Sequence, residues 1–383
     1  MSSFIRPTSL RLPDNVHERH ATWLEIFFDL IFAVITIQLS EKLLHDLTFQ
    51  GVFQCAALFI PVMWMWVSYT VFAARFDNGD ALHWVMTFVI MFAGVIMAIQ
   101  IPAALDKGAI GFSIGFLIGQ IALLLLYTRT LYDPFTPKNM IMLYLIGFSL
   151  GGICWIMSLF FDAPIKFILW SVGIFIYVIT PWIGRNRILT KAPLDTVYIP
   201  ERFGAFTIII LGQIIASVVF GLAPTNWHFS SLLTSIMAFI LAILIWSQYY
   251  RFTQKADYKC TLGSGQPYIY THVPLIISLI IIGACAEEFI RNPLIVQDNL
   301  NNIFCFAIIL YLTSFYLLQR ITMRKFKIRG LSYVTGITAT LFLFLLHHFS
   351  SVITLLGIIL IFAILFGIQF WVGHQTKHGY SKT

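Results

Sequence analysis

Charge is what this chain has least of. Only 11% of its 383 residues are Asp, Glu, Lys or Arg, against the ~25% usual in soluble domains. That deficit excludes an ordinary water-facing surface. Cysteine is also scarce: Cys55, Cys154, Cys285 and Cys305 lie in apolar runs and Cys260 in a polar gap. No C-x-x-C pair is present, so neither a disulfide framework nor a thiolate metal site is implied. No His/Cys/Asp cluster has a metal-ligand spacing. The hydrolase signatures G-x-S-x-G and H-E-x-x-H are missing, and "GSGQP" (263–267) lacks the lysine and flanking context of a nucleotide loop. No catalytic residue, metal or cofactor is expected.

Apolar sequence fills the space instead. The chain is 59% hydrophobic with a mean hydropathy of +0.85, and long apolar runs recur along its whole length. It therefore reads as an all-α polytopic membrane protein, since a hydrocarbon core of about 30 Å needs roughly 20 helical residues. The first apolar run is too long for a signal-peptide core and opens with acids, so a retained helix is expected. Twelve transmembrane helices are expected over 23–43, 52–74, 82–102, 110–131, 139–161, 165–184, 200–222, 229–251, 270–290, 300–322, 330–349 and 351–373.

The formal charge is +7, but the positive residues fall between apolar runs. They read as topology signals, and no nucleic-acid partner is expected. With both termini in the cytoplasm, twenty of the 24 Lys and Arg residues fall inside and four (Lys42, Lys107, Lys166, Arg291) outside. A missed helix would scramble that alternation.

The two halves of the sequence match. "WVSYTVFAARFD" (66–77) aligns with "WSQYYRFTQKAD" (246–257), placing Trp66, Tyr69, Phe72 and Asp77 on Trp246, Tyr249, Phe252 and Asp257 without a gap. "HWVMTFVIMFAG" (83–94) aligns with "HVPLIISLIIIG" (272–283) at both ends. Glu25 opens the first helix of one half, and Glu201 the first of the other. Six helices per half bring the second half in from the same side, so the expectation is two parallel six-helix repeats. The organisation is then a cytoplasmic segment 1–22, a first repeat 23–184, a linker 185–199, a second repeat 200–373 and a cytoplasmic tail 374–383.

Intramembrane polar residues mark the candidate site. Glu25 and Asp29 lie one helical turn apart on a face continued by Ala33, Thr36 and Ser40. The second half repeats a small, polar face from Glu201 through Gln213 to Ser217. Such faces turn towards other helices or a wet cavity. Two readings stand beside each other. A cation or proton site near the cytoplasmic third of the membrane would use Glu25, Asp29 and Glu201, with Gln38 and Gln213 deeper on the same helices. Alternatively Glu25 pairs with Arg19 or another loop base, Glu201 belongs with Arg202 or Arg251, and both acids answer the helix macrodipole. Asp77 with His83, and Asp257 with His272, form either a polar relay or helix caps. Glu287 and Glu288 precede Arg291 as an outer salt bridge. His347 and His348 lie at an outer helix end, where they either sense external pH or rest in the headgroup region without a task. Gly111, Gly115 and Gly119 give the fourth helix a close-packing side.

"WLEIFFDLIFAVITIQLS" (23–40), "RFDNGD" (75–80) and "ERFGAFTIIILGQ" (201–213) closely resemble the bacterial low temperature requirement A (LtrA) family, over most of the chain. Members of that family typically carry glutamate where this chain has Gln213, which removes one charge here. The resemblance implies a multi-span protein of the bacterial cytoplasmic membrane. The family name records a growth phenotype rather than a reaction. "FFDLIFAVIT" is also similar to the first-helix motif of the two-repeat endolysosomal potassium/proton channel family. Phe27, Asp29, Phe32 and Ala33 match that motif in order, with Phe28 in place of its serine and no aspartate in the second half.

The expected function is a transporter or channel for a cation or small solute. The alternatives are a membrane-embedded enzyme acting on lipid or isoprenoid, and a membrane-state sensor or scaffold. Expected partners are the lipid bilayer and that cation or solute, with a homo-oligomer left open.

Overall fold

The computed structural model describes residues 9–10, 20–77, 79–254, 265–322, 327–346 and 350–379. Among them are twelve α-helices: α1 (Trp23–Leu44), α2 (Phe49–Arg75), α3 (Ala81–Gln100), α4 (Ala109–Arg129), α5 (Lys138–Ser158), α6 (Ile165–Gly184), α7 (Tyr198–Leu222), α8 (Phe229–Thr253), α9 (Gln266–Arg291), α10 (Asp298–Thr322), α11 (Lys327–Leu346) and α12 (Ser351–Gly379). Eleven are long and apolar enough to cross a membrane, and α11 has a shorter apolar stretch, Ser332–Leu345. The chain is thus an all-α polytopic membrane protein. In lipid every backbone polar group must bond within the protein, which helices accomplish without a partner. One extended element accompanies them: β1 (Ser9–Leu10) pairs antiparallel with β2 (Phe76–Asp77), Leu10 opposite Phe76.

The helices form two compact units. The first takes residues 1–39, 56–205 and 258–269, and the second 40–55, 206–257 and 270–383. Within the first, α3 packs on α4, α4 on α5 and α5 on α6. Lipid gives helices no hydrophobic reason to associate, so close van der Waals fit does the work. A side-chain carbon on Gly115 would lie 2.9 Å from Met97 Cγ and 3.0 Å from the Ala93 carbonyl on α3. Only glycine allows that approach. Gly151 and Gly173 do the same between α5 and α6, each facing the other's carbonyl oxygen. The glycine face of α4 is a packing face.

Aromatic rings fill what the small residues leave. Trp155 stacks on Trp170 with centroids 4.9 Å apart, and the Trp170 indole N–H donates to Ser158 Oγ at 3.1 Å. Tyr127 stacks on Tyr144 at 4.9 Å. In the second unit α10 packs on α11, α11 on α12 and α12 on α8. Tyr311 stacks on Phe315 at 5.7 Å and donates its hydroxyl to Gln248 Oε1 at 3.2 Å.

Candidate functional site

Polar groups converge in the first unit where α1 and α7 begin. Thr22 and Glu25 make a reciprocal cap. The Thr22 N–H donates to Glu25 Oε2 at 2.8 Å, and the Glu25 N–H donates to Thr22 Oγ1 at 3.3 Å. This T-x-x-E capping box satisfies two backbone donors that the start of a helix leaves open. The other oxygen of Glu25 accepts from the Tyr198 hydroxyl at 2.5 Å. Tyr198 is the first residue of α7, and its backbone N–H is capped in turn by Asp195 Oδ1 at 2.9 Å. Glu25 therefore ends one helix and holds the end of another.

One turn further in lies Asp29. Arg202 donates to both of its oxygens, Nη1 to Oδ2 and Nη2 to Oδ1, each at 2.8 Å. The Trp66 indole N–H adds a third bond to Oδ1 at 2.7 Å. Neither the Asp29 nor the Arg202 side chain has any exposed surface. Phe203 meets the Trp66 ring edge-on at 4.9 Å, and the Arg202 guanidinium lies 5.7 Å from the same ring's centroid. The fork geometry of arginine matches a carboxylate in two places at once. In a low-dielectric surrounding such a pair is stable as a unit and costly to break from one side. Arg202 Nε is buried with no hydrogen-bond partner among the described residues. Three donors thus hold the carboxylate, two of them from Arg202.

The acids fall on the inward face of α1, as their spacing predicts. Glu25, Phe28, Asp29, Phe32 and Thr36 are buried, whereas Ile26, Phe27, Leu30 and Val34 are exposed. The pairings differ from those expected. Arg202 reaches Asp29, and Glu201 faces His20, with Nδ1 and Oε2 3.0 Å apart near the surface. Adjacent residues on a helix point in different directions, so Glu201 and Arg202 do not share a partner. Arg19, the base expected for Glu25, lies outside the described residues.

The remaining candidates lie elsewhere. Gln38 is half-buried on α1. Gln213 is buried in the second unit, donates to Ser217 Oγ at 3.4 Å and abuts Gly283, whose missing side chain makes room for its amide. His83 sits at the start of α3, its backbone N–H capped by Asp80 at 3.1 Å and its ring Nε2 3.4 Å from the Tyr69 hydroxyl. His272 is fully buried on α9 with Nε2 3.1 Å from the Tyr249 hydroxyl. Asp77 lies in β2, with its side chain outside the description, and Asp257, His347 and His348 lie outside the described residues. Glu287 and Arg291 form a salt bridge at 2.5 Å.

Arg202, Trp66 and Tyr198 are the residues that sequence reasoning did not place in the site. A guanidinium inside the first turns of an apolar helix, four residues after a tyrosine, was the available signal. Read as a loop-end charge, Arg202 passes for a topology marker.

Two comparisons bear on this arrangement. The sequence model for the bacterial low temperature requirement A protein (LtrA) matches residues 20–367. An uncharacterized protein of Rhizobium meliloti (strain 1021) is similar over 298 residues at 26% identity, covering 72% of this chain and 71% of the relative.

Proposed function

From the premise that this chain belongs to the bacterial low temperature requirement A (LtrA) family of multi-pass membrane proteins, we propose that it is a channel or secondary transporter for a cation or small solute, with the Asp29–Arg202 pair as its cytoplasmic gate. One observation carries this reading: a two-pronged ion pair with no exposed surface, set between α1 and α7 inside an apolar bundle. Charge at the bilayer centre costs at least ~2.5–3.5 kcal/mol on insertion scales, so it persists where it has a task. A cation arriving at the Asp29 carboxylate competes with the guanidinium. Its binding releases Arg202, and α1 and α7 lose two of the bonds that hold their first turns together. Trp66 keeps Asp29 oriented while the exchange takes place.

The proposal includes two parallel six-helix repeats with both termini in the cytoplasm. Two local matches support the repeat. Tyr69 meets His83 in the first half and Tyr249 meets His272 in the second, at aligned positions. Gly94 makes room for Ile31 and Ile35 of α1, and the aligned Gly283 makes room for Gln213 of α7. Third helix thus meets first helix in each half through a glycine at the same place.

The test is flux in liposomes of purified protein, for potassium, sodium and protons in turn. The wild type is expected to carry at least one of them. Asp29→Asn and the charge-neutral double variant Asp29→Asn/Arg202→Gln are expected to lower that flux by about tenfold or more while remaining monodisperse. Unchanged flux in the folded double variant would remove the pair from the path. Silence of the wild type towards all three ions would overturn cation transport.

A further inference from the structure

The first unit buries a second arginine that the gate does not use. Arg75, the last residue of α2, is 1% exposed. Its Nε donates to the Ala192 carbonyl at 3.1 Å and its Nη1 to the Tyr144 hydroxyl at 3.0 Å. Nη2 is buried with no hydrogen-bond partner among the described residues. Both of its partners are neutral. The other well-buried arginines of this unit differ: Arg202 meets Asp29, and Arg129 meets Asp80 through both Nη atoms. A guanidinium does not lose its proton in a protein, so burial cannot neutralise Arg75 as it can a lysine. An uncompensated buried charge is strongly destabilising, and an anion is what relieves it.

A second unused donor lies beside it. The Tyr127 hydroxyl is buried and without a partner among the described residues. Its ring stacks on Tyr144, whose hydroxyl Arg75 holds, and meets Phe72 and Phe76, which flank Arg75 in the chain. Two unspent donors, one of them cationic, therefore lie around a single tyrosine pair. A carboxylate near this region, Asp133, is already engaged by the Leu10 N–H and the Thr136 hydroxyl.

We propose that Arg75 and Tyr127 hold a small oxyanion, a phosphate or carboxylate group, as a resident counter-charge at the end of α2. Guanidinium and phenol hydroxyl together suit such a group, because arginine bonds oxyanions with a planar pair of N–H donors. The same chemistry is offered by a phospholipid or fatty-acid headgroup and by a free ion. Because Arg75 is sealed from solvent, the anion is retained through purification rather than exchanged freely.

Native mass spectrometry of the purified full-length protein reads the adduct directly, and its mass separates a lipid from a small ion. Wild type is expected to carry one such adduct per chain after mild delipidation. Arg75→Gln is expected to lose it. Tyr127→Phe keeps the charge and the packing, so it folds and is expected to hold the anion less firmly, shedding it at lower collision energy. A wild type without any anionic adduct would overturn the proposal. So would an adduct that survives both substitutions unchanged.

Discussion

Trp66 and Trp246 hold matching places in the two halves of the sequence, yet they live differently. Trp66 is sealed in the first unit and donates its indole N–H to Asp29. Trp246 is 42% exposed in the second unit and stacks on Tyr250 with centroids 5.3 Å apart. The difference follows from one position. A buried indole N–H needs an acceptor, and Asp29 supplies it four residues after Glu25. The residue four after Glu201 is Ala205, which supplies none. Polar groups buried in the second unit bond to one another: Gln248 accepts from Tyr311, Gln319 donates to Tyr333, and His272 meets Tyr249. Glu287, near the end of α9, is a buried acid among the described residues of that unit. The sealed guanidinium–carboxylate pair resides in the first unit, whereas Glu287 with Arg291 in the second reaches the surface, its arginine 43% exposed.

That contrast can be broken from the charged side first. Arg202→Gln leaves the Asp29 carboxylate buried and half-satisfied, and is expected to cost about 3–5 kcal/mol. Asp29→Asn should cost a similar amount and the double variant less than the sum, a coupling readable in thermal unfolding in detergent. Additive losses would mean the two side chains do not act as a pair. The tryptophans sharpen the comparison directly. Trp66→Phe removes a hydrogen bond to a charged group, worth about 1.5–3 kcal/mol, whereas Trp246→Phe should change stability by less than about 0.5 kcal/mol. Equal effects would erase the distinction.

A smaller effect tests the second unit. A side-chain carbon on Gly283 would lie 2.6 Å from Gln213 Nε2, and the corresponding carbon on Gly94 would lie 3.0 Å from Ile31 Cγ2. Gly283→Ala is expected to cost about 1–2 kcal/mol by overpacking and to be relieved by Gln213→Ala. Persistence of the defect in that double variant would place the strain elsewhere. Smallest is His20→Ala. Its pairing with Glu201 is between groups 68% and 38% exposed, so its loss should cost at most about 0.5 kcal/mol and vanish in high salt.

Much of the fold was legible because lipid leaves the chain few options. The apolar run expected over 52–74 is Phe49–Arg75, and that expected over 270–290 is Gln266–Arg291. The differences sit at helix ends, where the chain continues past the apolar stretch. The inward turn of Glu25 and Asp29 was legible too, since helical spacing fixes which residues share a face. The partner of Asp29 was not. It lies 173 residues away, and no local rule links positions so distant. Arg202 also sits beside Glu201, which offered a nearer explanation for its charge. Tyr198 reads as an ordinary aromatic residue at a membrane-helix position and Trp66 as a marker of the repeat, and only their hydrogen bonds give them a place in the site.

The distance between Asp29 and Arg202 also orders events in time. A ribosome adding ~5–20 residues per second needs roughly 10–35 s to travel 173 residues. Throughout that interval α1 exists without the guanidinium that neutralises it. The first helix enters the bilayer without that counter-charge or waits at the membrane surface until α7 emerges. A chain stopped before Tyr198 should therefore leave α1 poorly inserted, and Asp29→Asn should restore insertion of that shortened chain. The Asp29–Arg202 bond can close only once the seventh helix has been made.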